Sequence, residues 1–226
     1  MTLPPSLRAG LVLAAFVGAG LAAVAIVHEQ TRERIEAAER QVVLDRLAAV
    51  LPEGHDNTPE AAAYQRPSPL PDSEPLRIYP AYRGDTYLGA AVGVKTPEGY
   101  GGTIHLLVGL RPGGEVVAVR PVAHQETPGL GDAIEPGRSD WIRQFNGRAL
   151  GDPPKADWRV RRDGGAFDGI TGATITSRAV IGAVRAVLAD YRAHPEAYRG
   201  REHAAEDRPA GRETTEAERD REATDE

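Results

Sequence analysis

Residues 9–27, "AGLVLAAFVGAGLAAVAIV", form an apolar run of nineteen residues without a charge. At about 1.5 Å per residue a helix of this length spans the roughly 30 Å hydrocarbon core of a bilayer. A cleaved signal peptide competes with this reading, because Arg8 precedes the run and "AVA" at 23–25 has the small residues of a cleavage site. The length of the run and the helical pattern that follows it favour a retained anchor. Ile35, Ala38, Val42, Leu47 and Leu51 then recur at three to five residues, which predicts an amphipathic helix over 28–51 that stops at Pro52. Residues 52–75, rich in Pro and acid, predict an extended connector. Beyond it the period changes to two. "LRIYPAYR", "TYLGAAVGVKT", "GTIHLLVGL" and "EVVAVRPVAHQ" predict four strands, with turns at "RGD" and "RPGG", hence an antiparallel meander. A short helix is expected around 141–145. A longer one follows Ser177, where Val180, Ile181, Val184, Val187, Leu188 and Tyr191 mark one buried face, and it ends near His194-Pro195. The pattern thus gives an α+β chain in which the domain occupies 76–198, preceded by a short segment 1–8, the apolar helix, the amphipathic helix and the connector.

Composition narrows the chemistry. There is no Cys, which excludes disulfides, thiolate nucleophiles and Cys-type metal sites, and the six His are scattered without metal-ligand spacing, so no metal site is expected. The formal net charge is -6, and residues 200–226 supply ten acids and five Arg of it, leaving the body nearly neutral. No basic stretch interleaved with aromatics exists, so a nucleic-acid partner is not expected. After Tyr198 the chain holds no Leu, Ile, Val, Met or aromatic residue, and 199–226 is expected to be a disordered acidic tail. Two apparent motifs dissolve on inspection: "RGD" is a hairpin turn, and "GAAVGVKT" lacks the Gly-Lys-Thr of a phosphate loop.

The stretch "DGITGATITS" (168–177) places Thr171, Thr174, Thr176 and Ser177 among small residues just before a helix. One hydroxyl, Thr176 or Ser177, suffices as a helix cap. A Gly-rich turn that feeds a helix also presents free N–H groups and the positive end of the helix dipole, which suits a phosphate. Gly172 and Ala173 would leave room for a phosphate esterified to a neighbouring hydroxyl.

Residues 168–174, Asp-Gly-Ile-Thr-Gly-Ala-Thr, match at all seven positions the D-x-x-S/T-G-A-T signature to which a flavin transferase attaches FMN by a phosphoester bond. Together with "HQETPGLGD", "SDWIRQFNG" and the apolar amino end, the chain resembles the RnfG family, the G component of the Rnf electron-transport complex, over most of 1–195. The C component of the sodium-pumping NADH:quinone reductase shares T-G-A-T, but "ETPGLGD" is closer to the Rnf protein. The resemblance implies that Thr174 is the flavin acceptor. It implies that Asp168, Gly169, Thr171, Gly172 and Ala173 form the recognition and turn element, with Thr176 and Ser177 capping the helix beneath the phosphate. Tyr100 and Gly101 of "GYGG", and Glu126, Thr127, Gly129 and Leu130 of "ETPGL", are expected cofactor contacts, and Tyr100, Leu130 and Trp141 are candidates for an apolar wall against the flavin ring. Implied further are a single-pass protein of the bacterial cytoplasmic membrane with its mixed α/β domain on the periplasmic side, other Rnf membrane subunits as partners, and electron relay without a catalytic acid/base pair. Two other classes fit the residues: a membrane-tethered FMN module for sensing or assembly, and a periplasmic protein with a cleaved signal and no flavin.

Overall fold

The computed structural model describes residues 4–200, and the acidic tail expected at 199–226 lies, from 201 on, outside the described residues. The chain divides into two units, 1–45 and 46–226.

In the first unit a single helix, α1 (Pro5–Ala48), begins and runs without a break through both the apolar and the amphipathic segments. Among the described residues it contains one stretch long and apolar enough to cross a membrane, Leu13–Arg32, which overlaps the expected 9–27. Leu13, Phe16, Leu21, Val24 and Ile26 on it are exposed. Of the expected stripe over 28–51, the side chains of Ile35 and Ala38 lie outside the described residues, Val42 is 41% exposed, and Leu47 and Leu51, in the second unit, are buried. The helix stops at Ala48, ahead of Pro52, as a proline-induced boundary requires.

The second unit is built on a five-stranded antiparallel meander in the order β1-β2-β3-β4-β5. Its strands are β1 (Tyr64–Arg66), β2 (Leu76–Arg83), β3 (Thr86–Thr96), β4 (Ile104–Leu110) and β5 (Val116–Ala123). The last four are the four strands expected from period two. β1 is a correction, since the Pro-rich connector folds into a short edge strand in which Tyr64 pairs with Ile78 and Arg66 with Leu76. Three residues paired to one neighbour need little apolar content, because an edge strand gains its ladder hydrogen bonds from β2 alone.

Alternate residues of the sheet, including Val92, Val94, Leu106 and Val108, point into the main core, where the face of α2 (Thr174–Ala193) meets them with Val180, Val184, Val187 and Leu188. Every residue of the expected helical stripe is buried there. The opposite face is covered by the segment after α1: an atom added at Gly109 of β4 would stand 1.8 Å from the Val50 carbonyl oxygen, so backbone lies directly on the sheet. Coverage on both faces explains why β2 and β4 read as almost continuous apolar runs.

At the far end of α2, Asp190 accepts hydrogen bonds from Arg66 at 2.9 Å and from the Tyr198 hydroxyl at 2.5 Å. Burial pushes the Asp190 carboxyl up, but the bonds from Arg66 and Tyr198 outweigh it and hold it below the ordinary carboxylate range. This cluster fastens the edge strand and the last 3-10 turn to the helix, far along α2 from its first residue.

Candidate functional site

The turn 168–173 is held from outside by the 3-10 helix Trp141–Phe145. Gln144 accepts from the Asp168 N–H at 2.8 Å, and Trp141 Nε1 donates to the Asp168 carbonyl at 2.6 Å. The backbone of Asp168 is thereby fixed while its carboxylate stays exposed and pairs with Arg161 at 3.2 Å. From there the chain turns through Gly172, whose φ of +81° lies in the left-handed region that favours glycine. A side chain at this position would also come within 3.0 Å of Leu130.

The helix begins earlier than the cap assignment of Thr176 and Ser177 implies. Its first residue is Thr174, its N-cap is Ala173, and no side chain caps it. Ser177 instead sits inside the first turn: its hydroxyl donates to the Ala173 carbonyl at 2.9 Å and accepts from the Ile170 N–H at 2.9 Å, stapling the turn to the helix. Thr176 donates to the buried carboxylate of Glu126. Thr171 is exposed and does not line the cavity described next. The four hydroxyls therefore have different fates, and the half-buried Thr174 is the member of the set that lines a cavity while its hydroxyl makes no hydrogen bond among the described residues.

That cavity, of about 500 Å³, lies between the helix N-terminus and the loops 100–101 and 126–131. Its volume falls in the range of small-molecule and cofactor sites. Of the expected contacts, Tyr100, Glu126, Thr127 and Leu130 line it together with Gly172, Ala173, Thr174 and Thr176. Gly101, Gly129, Asp168 and Gly169 do not line it. Gly101 supports the wall by donating to Glu126 at 3.0 Å, and Gly129 donates to Asp132 at 2.8 Å. Trp141 is corrected as a wall residue: it packs edge-on against Phe145, with ring centroids 5.6 Å apart, and its indole is spent on Asp168.

Three lining residues escaped the sequence reading: Gly131, Arg162 and Ile175. Arg162 brings the cation of the cavity, and it makes no ion pair among the described residues. Its neighbour Asp163 is tied to Arg178 of α2 by two bonds of 2.7 Å, which hold the Asp163 carboxyl below its ordinary range and fix the loop beside the helix. The "RVRRD" charge run was the available signal. Ile175 lies between two threonines and reads as part of a cap. Among the described residues from 46 to 200, the exposed large apolar side chains are Tyr100, Leu130 and Ile175, at 68%, 44% and 49% exposure, and all three border this one cavity. Exposed apolar groups converging on a concave site with a free hydroxyl and a cation mark a ligand position.

Residues 99–189, which contain every lining residue of this cavity, match the FMN-binding domain model, and residues 1–50 match the RnfG N-terminal region. The G component of the ion-translocating oxidoreductase complex of Cereibacter sphaeroides is 43% identical over 83% of this chain and 85% of its own length. The chain belongs to the RnfG family. The corresponding protein of Pseudomonas aeruginosa is 40% identical over 88% of this chain and 94% of its own, and that of Vibrio cholerae 40% identical over 78% and 85%. These matches span both units, so the relation to other RnfG proteins covers α1 as well as the FMN-binding domain.

The residues fit the cofactor by their chemistry. A phosphate ester at Thr174 would meet the helix N-terminus and Arg162, while Tyr100, Leu130 and Ile175 offer apolar surface to a planar ring.

Proposed function

We propose that this RnfG family member carries FMN as a phosphoester on Thr174 and relays electrons as a membrane-anchored component of an ion-translocating ferredoxin:NAD oxidoreductase complex. The observation that carries the attachment site is the contrast among the hydroxyls of 168–177: Thr176 and Ser177 are consumed by internal hydrogen bonds, Thr171 does not line the cavity, and Thr174 lines it with its hydroxyl unbonded among the described residues. When bound, the flavin supplies reversible redox chemistry, and the protein supplies its placement and electrostatics.

Each part of the chain then has a role. Residues 9–27 anchor the protein, 28–51 lead out of the bilayer, 52–75 wrap to the sheet, and 76–198 hold the flavin. Trp141 and Gln144 fix the backbone of the acceptor segment, leaving the Asp168 carboxylate outward where a flavin transferase can read it. Arg162 balances phosphate charge. Tyr100, Leu130 and Ile175 would offer the flavin ring apolar contact. The domain lies on the periplasmic side, and the other membrane subunits of the complex are its partners.

Purification of the full-length chain from its own membranes in mild detergent tests this function. The expected result is co-purification with the membrane subunits of an ion-translocating oxidoreductase, and a flavin-fluorescent band at the mass of this chain on a denaturing gel. A chain that purifies alone, or with a signalling partner, contradicts the electron-relay role.

A further inference from the structure

We infer that Glu126 is a potential-setting residue: a buried carboxylate that braces the flavin cavity and whose negative charge holds the flavin's reduction potential down. The inference rests on the placement of FMN at Thr174.

Glu126 is 4% exposed and lines the same cavity as Thr174. Its carboxylate collects donors from two sides. The Gly101 N–H donates at 3.0 Å and the Tyr100 N–H at 3.3 Å, and the Thr176 hydroxyl donates from the first turn of α2. Backbone N–H groups can only donate, so the set presents donors to both carboxylate oxygens, an arrangement that suits a carboxylate. One side chain thus joins the Tyr100 loop to the helix that carries Thr174.

The surroundings are closed tightly around it. A carbon added at Gly99 would lie 2.7 Å from Glu126 Oε1, and one added at Gly131 would lie 2.8 Å from Glu126 Cβ and 3.1 Å from Oε2. No cation pairs with Glu126 among the described residues, and Arg162 of the same cavity is exposed. The charge is therefore met by hydrogen-bond donors and not by a cation, and at 4% exposure its field on a neighbouring group is screened less than that of a surface carboxylate. Reduction adds electron density to the flavin, and a nearby fixed negative charge opposes it.

The test is a spectroelectrochemical titration, at one fixed pH, of the flavinylated full-length chain in detergent. Glu126→Gln keeps an acceptor for the Gly101 N–H at the Oε1 position and turns its amide NH2 to the Thr176 oxygen at the Oε2 position, giving up the longer bond from the Tyr100 N–H. It is expected to stay flavinylated, with unchanged flavin fluorescence anisotropy and a midpoint potential shifted upward. Glu126→Asp keeps the charge but shortens the brace, so the anisotropy falls while the potential stays closer to wild type. If Glu126→Gln does not fold, Thr176→Val answers in the opposite sense: stripping a donor from the carboxylate leaves its charge less compensated and lowers the potential. A flavinylated Glu126→Gln with the wild-type potential, or failing that variant a Thr176→Val with no downward shift, overturns the inference. A wild-type chain without covalent flavin would overturn the Thr174 placement and this inference with it.

Discussion

Replacing Thr174 by Ala is expected to abolish covalent flavin while the domain stays folded. The hydroxyl is the atom that would carry the ester, and it makes no hydrogen bond whose loss the fold would register. The position is the first residue of α2, where Ala is a good helix former, so the change in stability should stay within about 0.5 kcal/mol. Thr176→Ala makes the informative contrast. It leaves the acceptor in place and should remain flavinylated, but it removes a hydrogen bond to the buried Glu126 and should destabilise the domain by about 1–3 kcal/mol. In-gel fluorescence of both variants, with and without a co-expressed flavin transferase, together with their melting curves, separates chemistry from folding. A fluorescent Thr174→Ala band would move the attachment elsewhere.

The second large effect concerns the membrane. The full-length chain is expected to remain with membranes after carbonate washing, whereas a chain that begins at residue 46 should be released. Nineteen consecutive apolar residues at 9–27 would, if retained, confer effectively irreversible insertion, which a surface-bound helix does not match. Beginning at residue 46 retains Leu47, Val50 and Leu51, which are buried in the domain, so the released protein should keep its fold. Recovery of the amino-terminal peptide by mass spectrometry distinguishes a retained helix from a cleaved signal. A mature chain that starts near Ile26 and washes off would establish the signal-peptide alternative.

Much of the domain was legible because its elements carry strong periodicity. The four long strands and the buried stripe of α2 announce themselves through apolar residues that each bury a face. β1 did not, since its three residues gain their place from pairing with β2 and not from their own composition. α2 starts at Thr174, ahead of the hydroxyls that suggest its cap, for a related reason: hydroxyls near a helix start suggest caps, but here tertiary partners take them, Glu126 claiming Thr176 and the turn claiming Ser177. The seven-residue motif pointed to Thr174, yet nothing in it could separate residues that line the cavity from those that shape the turn. Asp168 and Thr171 carry the motif and lie outside the cavity, while Arg162 and Ile175 line it and carry no motif. Trp141 shows the same limit. An aromatic near a site can serve a ring or a backbone carbonyl, and only the position of Asp168 decides between them.

The central claim is that one hydroxyl of four holds the flavin, and trypsin supplies a direct way to check it. Cleavage after Arg162 and Arg178 releases residues 163–178 as one peptide containing Thr171, Thr174, Thr176 and Ser177. Fragmentation of this peptide from the native membrane protein should locate a phosphoester-linked FMN on Thr174, with the other three hydroxyls unmodified. An unmodified peptide, or an adduct on any of those three, would contradict the account.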